Sequence, residues 1–117
     1  MRAPLALIVV LAVLAGCGGD SGGGGGSSAS CPGDAVTIKM ADIKFDPATA
    51  TVKTGQQVCW VNEDDVQHDA VAEDGAFKSE LFNKGETFTA TLDKAGTVKY
   101  VCTVHPGMTG ELKVEGR

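Results

Sequence analysis

From residue 35 onward the chain alternates between apolar and polar positions in short runs, each closed by a turn residue. Val36, Ile38 and Met40 are interleaved with Thr37 and Lys39. A period of two sends successive side chains to opposite faces of an extended backbone. The same rhythm, rich in β-branched residues, marks residues 50–53, 57–62, 68–72, 87–92, 97–102 and 111–114 as further strands. Pro47, Gly55, Gly85 and Gly96 separate them. Along 57–62, Val58 and Trp60 share one face, which is expected to be the core, and Cys59 points the other way. Helical spacing is absent, apart from at most one helical turn around residues 78–83. Short strands at close spacing predict an all-β sandwich of seven to eight strands.

The first 30 residues follow a different pattern. Residues 1–16 carry Arg2, then the apolar stretch 5–14, then small residues. That stretch is shorter than the ~20 apolar residues a bilayer span requires, and it fits a cleaved secretory signal. Leu14-Ala15-Gly16-Cys17 resembles a bacterial lipobox. The resemblance implies cleavage before Cys17 and lipidation there, which anchors a protein to a membrane without spanning it. The expected location is therefore the outer face of the bacterial cytoplasmic membrane. Residues 18–30 are almost entirely Gly and Ser, a tether reaching roughly 20 Å on average. The expected organisation is a signal at 1–16, a lipid-anchored linker at 17–32 and one folded domain at 33–117.

Charge removes one class of partner. The formal net charge is −5, and loss of Arg2 with the signal makes it one unit more negative. Nucleic-acid binders carry basic patches, so no nucleic-acid partner is expected. A domain this small also has a limited core that a staple or a metal helps to hold.

The four cysteines are Cys17, Cys31, Cys59 and Cys102. With Cys17 assigned to the lipobox, three remain for an exported, oxidising setting, an odd number. The run Tyr100-Val101-Cys102-Thr103-Val104-His105-Pro106-Gly107-Met108 supplies another use for one of them. Cys, His and Met recur there at spacings of three. A thiolate, imidazoles and a weak axial thioether are the donors of blue-copper sites. The second imidazole must be His68, because the sequence has only two histidines. Cys31 and Cys59 are then left to form a disulfide.

Residues from Thr51 onward resemble the cupredoxins of the plastocyanin, pseudoazurin and amicyanin group. The resemblance rests on Gly55, Val58, Trp60, Asn62, His68, Gly85-Glu86-Thr87-Phe88, Gly96, Tyr100, Cys102, His105, Pro106, Met108 and Gly110. The two-residue gap between His105 and Met108 is similar to that of amicyanins. The resemblance implies a Greek-key sandwich binding one copper ion, with His68, Cys102 and His105 as a trigonal set and Met108 axial. It also implies a supporting role for Asn62. Where many cupredoxins have Asn after the first histidine, this chain has Asp69, which is expected to accept a hydrogen bond from Thr103. His105 and Pro106 are the implied electron port, within an apolar patch of Val104, Pro106, Gly107 and Met108. The implied function is one-electron transfer between redox proteins by a monomer, without enzymatic activity.

Other readings of the same residues fit less well. Tyr100-Val101-Cys102 also matches the Tyr-x-Cys of immunoglobulin-like strands, with Cys59 as disulfide partner, but this strands Cys31 and leaves the His and Met spacing to chance. Structural zinc takes several Cys or His and no Met. A Cys–His nucleophile pair lacks an orienting third group. A binuclear copper site needs two cysteines in the loop, and this loop has one. Copper delivery or storage is the alternative function. Glu63, Asp64, Asp65, Asp69, Glu73 and Asp74 surround His68, either as a solvated loop or as a surface steering a basic partner.

Overall fold

The computed structural model describes residues 30–117. The signal segment, Cys17 and most of the Gly/Ser linker lie outside the described residues. Eight strands follow in order: β1 (Val36–Ala41), β2 (Lys44–Asp46), β3 (Thr49–Lys53), β4 (Gln57–Asn62), β5 (Val71–Ala72), β6 (Thr87–Thr91), β7 (Gly96–Val101) and β8 (Thr109–Glu115). They form two four-stranded sheets, ordered β2-β1-β4-β6 and β3-β8-β7-β5. β1 runs parallel to β4 and β3 parallel to β8, and the other pairs are antiparallel.

The inward residues are those the alternation selects: Ile38 and Met40 from β1, Val52 from β3, Val58 and Trp60 from β4, Val98 and Tyr100 from β7, Leu112 and Val114 from β8. Aromatic rings join the two sheets. Trp60 lies 5.4 Å from Tyr100 and 4.8 Å from Phe77 between centroids, and Phe45 lies 4.6 Å from Tyr100. Edge-to-face pairs at such distances add to the gain from burial. Burial pushes the Tyr100 phenol up to about 12, with a small opposing pull from the Trp60 indole. Gly110 on β8 has no room for a side chain, because a Cβ there would run into the ring of Tyr100.

Cys59 sits on the outer side of β4, as the alternation predicts, and is nevertheless buried because Cys31 covers it. The Cys31–Cys59 disulfide closes a separation of 28 residues and ties the segment before β1 to β4. This excludes the alternative Cys59–Cys102 pairing. Cys102 is the unpaired cysteine among the described residues.

Three local expectations need correction. β2 has no counterpart among the strands read from the sequence. It follows a two-residue turn in which both Asp42 (φ 53) and Ile43 (φ 55) are left-handed. Tight hairpins of this kind favour Asn and Gly, so Asp-Ile gives no turn signal. The helical turn allowed at 78–83 is instead extended chain lying alongside residues 68–72. Lys78 bridges Val71 and Phe82 bridges His68. Ser79 N–H donates to the Ala70 carbonyl at 3.0 Å. The expected strand at 68–72 shortens to Val71–Ala72, with His68 held by its bridge to Phe82.

Candidate metal centre

One end of the sandwich collects the loops that carry the predicted ligands. His68 lies in the β4–β5 connection, and Cys102, His105 and Met108 lie in the β7–β8 connection. Two backbone bonds close the latter loop: Cys102 N–H donates to the Met108 carbonyl at 2.9 Å, and Met108 N–H to the His105 carbonyl at 3.1 Å. Gly107, with φ 87, makes the reversal that the closure requires. The loop therefore gathers Cys102, His105 and Met108 at one end of the sandwich, although they are spread over seven residues of sequence.

Nδ1 of His68 is 3.1 Å from Nδ1 of His105, and the Cys102 sulfur is 3.7 Å from the first and 3.4 Å from the second. His68 is fully buried, Cys102 is 3 % exposed and Met108 2 %, whereas His105 is partly exposed. Two imidazole nitrogens facing one another hold at most one proton between them if both rings are neutral. Two such nitrogens and a buried sulfur, converging at these separations, suit one shared cation better than each other. Thiolate and imidazole, with a buried methionine in the same loop, select copper rather than a hard cation.

The surrounding bonds fix each ligand segment. Asn62 Nδ2 donates to the carbonyls of Val66 at 2.9 Å and Phe82 at 3.0 Å, and its Oδ1 accepts from Asp64 N–H at 2.8 Å. One buried amide thus holds the start of the His68 loop and the strand-like segment beside it. Asp69 is also buried and accepts from Thr103 N–H at 2.7 Å and from the Thr103 hydroxyl. The expected Asp69–Thr103 bond is present, and it joins the two ligand loops directly behind Cys102.

Asp64 is a site residue that the sequence reading placed only in the acidic run. Its Oδ2 is 2.8 Å from His68 Nε2, and its two oxygens accept from Asp42 N–H at 2.8 Å and Ile43 N–H at 2.9 Å. Burial works to raise its carboxyl, but the bonds from His68 and from the Ile43 and Asp42 amides outweigh it and hold the group below its ordinary value. The only sequence signal was an acid four residues before a ligand histidine, inside a run of other acids.

The acidic run divides into two engaged acids and four exposed ones. Asp64 and Asp69 are engaged inside the site, Asp65 pairs with Lys84 at 3.0 Å, and Glu63 approaches Lys39 at 4.0 Å. Of the four residues expected to form an apolar patch, Val104, Pro106 and Gly107 are exposed. Met108 is buried and belongs to the interior instead.

A two-sheet β-sandwich that gathers a cysteine, two histidines and a methionine at one end is a cupredoxin, a protein of the type 1 copper class. The model of copper-binding proteins of the plastocyanin/azurin family matches residues 33–115. Amicyanin from Paracoccus versutus is 33% identical over 93 residues, 75% of this chain and 70% of its own. Plastocyanin from Scenedesmus fuscus is 36% identical over 97 residues, 68% of this chain and 99% of its own. The solved structure of a reduced tryptophan-to-tyrosine variant of amicyanin superposes with a TM-score of 0.71 at 27% identity, over 76% of this chain and 90% of that one. The chain belongs to the plastocyanin/azurin family of copper-binding proteins and groups with the amicyanins within it. Its site takes one copper ion, held by His68, Cys102, His105 and Met108.

Proposed function

We propose that this protein carries single electrons between redox proteins while tethered to the outer face of a bacterial cytoplasmic membrane. Its amicyanin and plastocyanin relatives support the electron-carrier part of that reading. Bound copper supplies the Cu(I)/Cu(II) couple. The chain's task is to hold both states with little rearrangement, and the backbone closures and the Asn62, Asp64 and Asp69 bonds suit it to that.

The observation that carries the reading is the asymmetry of burial at the site. Three ligands are sealed from solvent and the fourth, His105, is partly exposed. With Nδ1 of His105 turned inward, the opposite side of its ring is the electron port, next to Pro106. The large hydrophobic residues exposed among the described residues are Ile43, Val66, Leu81 and Val104. Each lies in a loop at the copper end. Val104 neighbours His105, Leu81 neighbours the Phe82 that bridges His68, Val66 is bonded to Asn62, and Ile43 is bonded to Asp64. An apolar rim of scattered side chains suits a brief contact between partners rather than a permanent one.

The tether is read from the lipobox at Cys17 and the Gly/Ser run. Asp34, close behind that run, is bonded through its carbonyl to Gln56 in the β3–β4 turn, at the opposite end from the ligand loops. A domain attached there would present its copper end to the aqueous side.

Two measurements test this function. Electron self-exchange of the copper-loaded domain should be fast, and a Val104→Glu substitution should slow exchange with a partner while leaving the visible spectrum unchanged. Slow exchange together with ready copper transfer to a chelator would favour delivery or storage instead. Cys17→Ala should move the full-length protein from the membrane to the soluble fraction, and unchanged membrane association would refute the anchor.

A further inference from the structure

The Cys31–Cys59 disulfide does more than hold the fold, because of where it stands. Cys59 is the third of six residues in β4, an inner strand of its sheet, with Thr37 of β1 on one side and Thr89 of β6 on the other. Cys31 is thereby clamped onto the middle of the sheet's outer face. The chain then turns back, with Ala35 N–H donating to the Pro32 carbonyl at 3.1 Å, before β1 begins at Val36. Without the bond, the linker would leave from the end of the sandwich where β1 starts. With it, everything N-terminal to Cys31 departs from the centre of a sheet face.

That face also differs from the rest of the surface in charge. The chain carries a net −5, yet β1, β4 and β6 contain no Asp or Glu. Their exposed residues are Thr37, Lys39, Gln57, Thr89 and Thr91, and the edge strand β2 adds Lys44 and Asp46. Glu63 approaches Lys39 only to 4.0 Å from the copper end, and both side chains stay about half exposed. The acids gather at that end instead, where Asp42, Glu63 and Asp65 are exposed.

We propose that the outer face of the β2-β1-β4-β6 sheet rests on the anionic headgroups of the membrane, with the disulfide as its attachment point and the copper end directed along the surface. This rests on the lipid anchor proposed at Cys17. A negative lipid surface attracts Lys39 and Lys44 and repels the acids of the ligand loops. Both effects act within a Debye length of about 8–10 Å, so standing on the ligand loops is the disfavoured pose. A tether of residues 18–30, reaching roughly 20 Å on average, keeps the face near enough for weak contacts to count. The strands of this sheet run between the Asp34 end and the ligand loops. Face contact therefore lays them along the bilayer and leaves the partly exposed His105 in the water beside it. That pose suits exchange with partners held at the same membrane.

Lysine footprinting tests this without altering the face itself. Full-length lipidated protein in vesicles of phosphatidylcholine and phosphatidylglycerol is treated briefly with an acylating reagent and read by mass spectrometry. The soluble Cys17→Ala protein is the reference. Lys39 and Lys44 should react several-fold more slowly on the vesicles, while Lys99 and Lys113, exposed on the other sheet, should react as in the reference. With Cys31 and Cys59 both replaced by alanine, the protein should still float with the vesicles but lose protection of Lys39. Unchanged protection there would overturn the role given to the disulfide, and if that variant fails to fold the parent's footprint decides the face. Equal rates at these lysines, or protection of Lys99 and Lys113 instead, would overturn the proposal. So would a slowing in the soluble reference that grows with its concentration, which would place a second copy on that face. Failure to associate with vesicles would refute the anchor and this proposal together, whereas association without protection refutes the face alone.

Discussion

Removing the disulfide separates the stability of the fold from that of the metal site. Replacing both Cys31 and Cys59 by alanine opens a covalent loop closed over 28 residues. In the chain-entropy account the unfolded ensemble regains the freedom the link denied it, which for a loop of this length is worth about 3.6 kcal/mol at 25 °C. Truncation of the buried Cys59 side chain adds a smaller cost in the same direction. Small domains have total stabilities of about 5–15 kcal/mol, so a large fraction is at stake. The assay is urea unfolding of the copper-free domain, because bound metal adds a stability of its own that depends on its concentration. With an m-value near 1 kcal/mol/M, expected at this size, the midpoint should fall by about 3.6 M. The variant's copper spectrum should be unchanged, since the bond lies away from the ligand loops. A loss below about 1 kcal/mol would refute the reasoning. It would mean that the unfolded chain already keeps the segment before β1 close to β4, or that the folded state is strained by the link.

Other predictions follow from particular contacts. Gly110→Ala drives a methyl into the buried Tyr100 ring, so thermal or urea unfolding should show a loss of about 1–3 kcal/mol; a loss under 0.5 would show that the ring can move aside. Asp69→Asn removes a charge held against Thr103 behind the thiolate. A unit charge several ångströms from the metal at an effective dielectric of about 20 is worth roughly 2 kcal/mol, on the order of 100 mV. The potential measured by voltammetry should therefore rise, and no shift or a fall would contradict this. Ile43→Gly relieves a left-handed β-branched residue while keeping the amide that Asp64 uses. It should leave the copper spectrum intact and raise stability by about 0.5–1 kcal/mol, and a measured loss would show that the Ile43 side chain is needed where it lies.

The strands at β1, β3, β4, β6, β7 and β8 were legible because half-buried strands alternate, and each begins or ends near a Gly, Pro or Asn. β2 was not, because three residues carry too little alternation and the Asp-Ile turn lacks the residues that normally adopt left-handed angles. The segment after Phe77 was not, because its partners are backbone groups of 68–72, and backbone pairing leaves no local trace in side-chain pattern. The metal ligands were legible for a chemical reason: soft donors are scarce in this chain, and its only two histidines both had to be placed. The supporting groups divide differently. Asp69 stood out because the family resemblance leads one to expect Asn there, whereas Asp64 is one acid among several and acquires its meaning only when the β1–β2 turn folds against it.

The central claim is that Cys102 sulfur, two imidazoles and the Met108 thioether share one copper ion. Titrating the copper-free domain with Cu(II) while recording the visible spectrum tests it most directly. A strong thiolate-to-copper band saturating at one equivalent, and absent in Cys102→Ser, is the predicted result. A colourless protein, or a band that survives Cys102→Ser, would contradict the account.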